Sequence, residues 1–144
     1  MKLGVFTVLF ANKSFTEMLD YVKAAGLDAV EIGTGCYPGN NHCPLDTLLE
    51  DEGARNAYME EIHSRGLQIS AFSCHGNPIS PDEAFAKESH ETLLKTIDLA
   101  ALTGVEVVNC FSGVPGDSEN AKAPNWPVAP WPNEYGDVLT WQWE

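Results

Sequence analysis

The sequence predicts an α/β fold built from four parallel strands with helices between them, and three observations predict it. Short apolar runs suited to buried strands alternate with segments whose apolar residues recur at helical spacing. One junction is repeated: Gly26, Gly66 and Gly104, separated by 40 and 38 residues, each lead through an apolar residue into a strand, as a glycine in the left-handed conformation at a helix end would. The third strand stops abruptly in polar and turn-forming residues, Cys74-His-Gly-Asn-Pro78. Strands and helices alternating at this spacing pair in parallel through right-handed crossovers.

Taken in order, Lys2 to Thr7 is a short apolar run suited to a buried strand. Ser14-Phe-Thr-Glu17 has the form of a capping box, in which Ser14 accepts from the third helical N–H and Glu17 reaches back. Phe15, Met18, Leu19, Val22 and Ala25 then follow at helical spacing until Gly26. The second strand lies in Gly26-Leu-Asp-Ala-Val-Glu-Ile-Gly33. Pro44 opens a short helix through Leu48 and Leu49, and a longer one runs from Gly53 or Ala54 to Arg65, with Ala54, Tyr58 and Ile62 on one stripe. After the third strand, Ser80-Pro-Asp-Glu83 offers a cap, a proline at the first helical position and a glutamate to close the box. Phe85, Leu93, Leu94, Ile97, Ala100 and Ala101 supply the apolar face of the long helix behind it.

The fourth strand, Val105 to Phe111, gives way to Ser112-Gly-Val-Pro-Gly116 and a proline-rich loop carrying Trp126 and Trp131. A loop of that length is usually functional. Asn133 can cap a last helix with Tyr135, Val138, Leu139 and Trp143, and the sequence reaches Glu144 without a stop signal for it. Four strands and four helices make half of a (β/α)8 barrel, which takes about 250 residues when complete. Residues 1–144 are therefore expected to be the first four βα units of such a barrel, truncated in the fourth helix. A half-barrel on its own has two raw sheet edges, so a homodimer or a complementing half-barrel is the expected partner.

Eight Lys and Arg against 21 Asp and Glu give a net charge of −13 with no basic stripe, which disfavours a nucleic-acid partner because phosphate binding needs clustered positive charge. The first residues are too brief an apolar segment for a signal peptide, and no run of about 18 apolar residues follows, so a cytoplasmic protein without a membrane segment is expected. Cys36, Cys43, Cys74 and Cys110 are widely spaced with no C-x2-C pair and read as reduced thiols.

Strand parity sorts the side chains. On the third strand Ile69, Ala71, Ser73 and His75 share one face, with Ser70, Phe72 and Cys74 on the other; on the second, Ala29, Glu31 and Gly33 oppose Val30 and Ile32. Bulky apolar residues belong under the helices, so Glu31 and His75 point to the inner face near the carboxyl ends, where parallel-sheet enzymes place their chemistry. Glu31 suits hydrogen bonding to a substrate hydroxyl, support of a neighbouring group or proton transfer, and it equally suits a carboxylate satisfied by the next strand. His75 lies on a turn where an imidazole can donate to a substrate oxygen, relay a proton or bind a metal. Asn77, Asn109, Ser112, Asp117 and Trp126 complete the candidate substrate-binding group. His42 sits in the loop after the second strand; His63 and His90 fall in predicted helices and read as surface residues.

With these residues placed, the sequence resembles the xylose-isomerase-like TIM-barrel superfamily, and within it proteins described as sugar phosphate isomerases/epimerases. The resemblance is carried by Lys2-Leu-Gly-Val-Phe6, Gly26-Leu-Asp-Ala-Val-Glu-Ile32, Ser73-Cys-His-Gly-Asn77 and Val107-Val-Asn109. It implies a small sugar or sugar phosphate as substrate and a divalent metal, Mn, Mg, Co or Zn, that holds adjacent sugar oxygens while a carboxylate moves a proton through an enediolate. The main metal ligands of that family come from the second half of the barrel. Only Glu31 and His75 carry over as catalytic candidates, with His75 the one first-half candidate for the metal, and this half alone is expected to be inactive. The same superfamily contains an abasic-site endonuclease branch, a metal-dependent phosphodiesterase in which a third-strand histidine binds zinc. The acidic charge and the Phe111-Ser-Gly113 ending of the fourth strand speak against it. A non-catalytic half-barrel that binds a ligand or partner is the remaining alternative.

Overall fold

A computed structural model describes residues 1–124. Trp126, Trp131 and the expected last helix after Asn133 lie outside the described residues. The elements are β1 (Gly4–Phe6), a 3-10 turn (Thr7–Phe10), α1 (Phe15–Ala24), β2 (Ala29–Cys36), α2 (Leu45–Glu50), α3 (Glu52–His63), β3 (Gln68–His75), α4 (Glu83–Thr103) and β4 (Val108–Cys110). The strands form one open sheet in the order β1-β2-β3-β4, and all three pairings are parallel. This is the α/β arrangement of half a TIM barrel.

Local chemistry accounts for the boundaries. The capping box at Ser14 forms: the Glu17 N–H donates to Ser14 Oγ at 3.3 Å and the Ser14 N–H to Glu17 Oε2 at 2.9 Å. Gly26, Gly66 and Gly104 take φ of 77°, 67° and 72°, so the repeated junction is three left-handed helix exits, each followed by a buried or half-buried apolar residue. The long helix α4 starts one turn-residue pair later than its sequence suggests. Asp82, not Ser80, accepts from the Ala84 and Phe85 N–H groups, while Ser80 accepts from the Asp82 N–H in the turn before it. An aspartate is an equally good cap, and Pro81 stands ahead of it.

Three other expectations are corrected. The fourth strand is only Val108–Cys110, because the Val105 N–H turns back to the Ala100 carbonyl at 3.1 Å and closes the end of α4. On β3 the alternation slips at a bulge between Val30 and Glu31 of β2: Ile69 stands opposite Val30 and packs on the core, while the next paired residue, Ala71, stands opposite Glu31. Ile69 therefore leaves the inner face, and Ser70 lines a hollow on that face with Ala29 and Glu31. On α4, Leu94 and Ile97 are 49% and 47% exposed, whereas Ser89, Thr96, Leu99 and Ala100 are buried. Ala100 is buried and Phe85 and Leu93 are half-buried as expected, but two of these four are hydroxyl residues with partners on the sheet side, which hydropathy does not mark: Thr96 shares a 2.8 Å hydrogen bond with Thr34 of β2, and Ser89 accepts from the Asn77 N–H at 3.1 Å.

The core lies between the sheet and the helices. Val30, Ile32 and Phe72 come from the strands, Met18, Leu19 and Val22 from α1, Leu48 from α2, Ile62 from α3 and Leu99 from α4. No described helix is long and apolar enough to cross a membrane.

Candidate active site

The opposite, inner face of the sheet carries the polar residues. Gly33, Ser73 and Asn109 are aligned in register across β2, β3 and β4, and Glu31 is aligned with Phe6 and Ala71 one step below. From there the Glu31 carboxylate reaches the upper row, where its Oε1 accepts from Ser73 Oγ and, at 3.1 Å, from Asn109 Nδ2. Two neutral donors, one from β3 and one from β4, thus fix one carboxylate oxygen. The second oxygen has no hydrogen-bond partner among the described residues.

His75 closes the strand above this triad. Its ring stacks on Phe111, with centroids 4.4 Å apart and planes 8° apart, and meets the edge of Phe6 at 6.0 Å. Burial against these rings holds its pKa below the ordinary imidazole value, and the negative charge of Glu31 opposes that shift. The neutral imidazole is therefore favoured in the fold, and the unfolded chain binds more protons at the pH values between the two midpoints. Stability is expected to rise with pH through the window that ends near the ordinary value of about 6.5, and to be lost as pH falls through it. Urea midpoints measured across this range should show that slope, and His75→Asn should remove His75's share of it.

Structure and sequence reading agree on the grouping of Glu31, His75 and Asn109 and differ on the residues around it. Asn77 is buried, and its side-chain amide pairs with the Val114 backbone: Oδ1 accepts from the Val114 N–H at 2.9 Å and Nδ2 donates to the Val114 carbonyl at 3.0 Å. It clamps the loop after β4 to the loop after β3. Gly76 beside it admits no side chain, because a Cβ there would lie 2.7 Å from Ser89 Cβ and 2.8 Å from Cys36 Sγ. Ser112 and Asp117 are exposed and take no hydrogen bond or ion pair among the described residues. Trp126 lies outside them. His42 is buried, with Nε2 at 3.0 Å from the Lys13 carbonyl, and His63 and His90 are exposed on their helices.

Ser73, Phe6 and Phe111 are the residues that the sequence reading passed over. Ser73 shares parity with His75, which is a signal strand alternation supplies. Phe6 and Phe111 become part of the group only when β1 and β4 flank it. Below Glu31, on the amino-terminal side, the inner face holds an open hollow of about 390 Å³ lined by Lys2, Phe6, Ala29, Gln68 and Ser70 among others.

Comparison with known proteins gives this arrangement its context. Residues 19–131 match the family model of the xylose isomerase-like TIM barrel. The chain belongs to that family. It is 34% identical over 146 residues to the uncharacterized protein YfiH of Bacillus subtilis (strain 168), an alignment that takes in all of this chain and 46% of YfiH. The chain thus spans about half the length of that relative. Among solved structures, it is similar to the probable 3-DHS dehydratase AsbF involved in petrobactin synthesis from Bacillus anthracis, with a TM-score of 0.56, 19% identity, and 78% of this chain and 39% of AsbF covered. It is also similar to a xylose isomerase-like TIM barrel/4-hydroxyphenylpyruvate dioxygenase fusion protein, with a TM-score of 0.53, 21% identity, and 82% of this chain and 17% of that one covered. At these identities the two structures establish the fold.

The divalent metal implied by the resemblance does not fit the described residues by themselves. Among them no three His, Cys, Asp or Glu side chains converge to hold an ion. One Glu31 oxygen is already held by two donors, and the ring contacts of His75 are to Phe111 and Phe6. A cage would need its principal ligands from elsewhere.

Proposed function

We propose that this chain supplies the first-half wall of an active site that isomerises or epimerises a sugar or sugar phosphate by moving a proton beside a carbonyl through an enediolate. The observation that carries the reading is the Glu31 carboxylate on the inner face, fixed through one oxygen by Ser73 and Asn109, while the other oxygen has no hydrogen-bond partner among the described residues. A carboxylate held in this way is oriented before substrate arrives, and it can accept a hydrogen bond from a hydroxyl or take the proton that the carbonyl acidifies. His75, whose pKa burial holds below the ordinary imidazole value, is suited to donating a hydrogen bond to the carbonyl oxygen from its neutral form, without bringing a full charge. The family membership supports this class of chemistry. A divalent metal and the remaining catalytic carboxylate belong, in this proposal, to the residues that complete the barrel or to a complementing half-barrel or second copy.

The test is a titration of the chain with ketoses, aldoses and their phosphates, followed through the His75 ring resonances, together with solvent-deuterium exchange in the completed barrel. We expect one sugar class to shift the His75 signals in a saturable way, and exchange at the carbon beside its carbonyl to appear only in the completed barrel. Saturable binding of abasic-site DNA that weakens steeply with salt, with no response to sugars, would instead favour the phosphodiesterase alternative.

A further inference from the structure

On the face of the sheet that carries Phe72, beneath α4, the ends of β2 and β3 bring two thiols together. Cys36 Sγ and Cys74 Sγ lie 3.6 Å apart. Cys74 is 1% exposed and Cys36 is half-buried, so Cys36 is the more accessible sulfur of the two. Cys36 also has the one positive φ outside glycine among the described residues, 57°, a conformation that residues with a Cβ adopt at a cost. The other two cysteines are placed differently. Cys110 is exposed beside Cys74 on β4, and Cys43 is buried elsewhere, its thiol pushed up to about 12 by burial.

We propose that Cys36 and Cys74 form an oxidisable dithiol, in which Cys36 reacts with a hydroperoxide and Cys74 resolves the product to a disulfide that ties β2 to β3 beside His75. In the first step the Cys36 thiolate attacks one oxygen of the peroxide. An S–O bond forms, the O–O bond breaks, and the departing hydroxide takes up a proton as water. In the second, Cys74 loses its proton and attacks the Cys36 sulfur; the S–S bond forms, the S–O bond breaks and a second water leaves. Two thiols lose two electrons and one hydrogen peroxide is reduced to two waters. The sulfurs must close by about 1.6 Å to reach the ~2.0 Å of an S–S bond.

The division of roles follows from the surroundings. Either sulfur can donate in the contact between them; that contact, with the Thr92 and Ser89 hydroxyls of α4, holds the Cys36 thiol below its ordinary value against burial and Glu88. The same contact, with burial, raises Cys74. The nucleophile is therefore the sulfur nearer solvent. Cys36 stands opposite His75 in the strand register, and the Tyr37 N–H donates to the His75 carbonyl at 3.3 Å, so closing the disulfide moves backbone that carries the imidazole.

The experiment treats the reduced chain with stoichiometric hydrogen peroxide, alkylates free thiols, digests with trypsin and sequences the products by mass spectrometry. The expected result is one linkage between peptides 24–55 and 66–87, mapped to Cys36 and Cys74, with two hydrogens lost per chain and Cys110 alkylated. Cys74→Ser should stop at a sulfenic acid on Cys36 that dimedone traps, and oxidation of the unaltered chain should shift the His75 ring resonances. A linkage from Cys74 to Cys110, or oxidation of Cys110 with Cys36 and Cys74 both fully alkylated, overturns the proposal. The decisive measurement is on the unaltered chain, so the folding of the variant does not bear on it, and no part of it depends on the sugar chemistry proposed above.

Discussion

Replacing Phe72 by alanine is expected to destabilise the protein by about 3–5 kcal/mol, the range seen when a wholly buried aromatic ring is deleted. Phe72 is the largest fully buried side chain among the described residues. It occupies the middle of β3, in register with Ile32 on one side and Val108 on the other, where the strands meet α1 and α4. The cost combines lost apolar burial with a void that neighbours on rigid strands fill only in part. A domain of this size has a net stability of only about 5–15 kcal/mol, so the variant should lie close to unfolding. Urea denaturation should show a large fall in midpoint, with Ile97→Ala on the exposed face of α4 changing it by about 0.5 kcal/mol or less. A Phe72→Ala loss no larger than that of Ile97→Ala would mean that the core is not centred where the register places it.

Glu31→Gln should separate the electrostatic role of this residue from its structural one. The glutamine carbonyl oxygen can still accept from Ser73 and Asn109, so the urea midpoint is expected to stay near that of the unaltered chain. The negative charge next to His75 is gone. Because that charge raises the imidazole pKa against burial, its removal should lower the His75 midpoint further, read as a shift of the ring Cε1–H resonance with pH. In the completed barrel the same variant should reduce deuterium exchange about 10²–10⁴-fold, the usual contribution of a positioned proton-transfer group. An unchanged or raised His75 midpoint would show that the two groups are not coupled. Full exchange activity would remove Glu31 from the chemistry while leaving its place in the hydrogen-bonded triad intact.

The arrangement that makes both experiments informative was partly legible in the chain. Local signals are strong where a residue acts on its own neighbours. Ser14 and Glu17 cap α1 whatever packs against it, and the glycines at 26, 66 and 104 mark left-handed exits because other residues pay a steric cost there. Alternation along β2 likewise put Glu31 opposite Val30 and Ile32. Those signals weaken where two equally good local solutions compete. Ser80 and Asp82 are both able caps, and only the path of the preceding turn decides for Asp82.

Composition, alternation and punctuation along the chain were enough to set four parallel strands side by side, with Glu31, His75 and Asn109 on one rim, because strand period and helix ends are properties of short segments. Contacts between segments distant in sequence decided the rest. The bulge that turns Ile69 off the inner face and onto the core exists only when β2 lies beside β3, and Thr34 makes Thr96 a core residue only when α4 crosses the sheet. Asn77 becomes a clamp only once the loop after β4 returns to it, and Cys36 meets Cys74 only across a strand pair. Each depends on which polar atoms find partners across the fold, and hydrogen bonding across a sheet leaves no periodic trace in the chain that makes it.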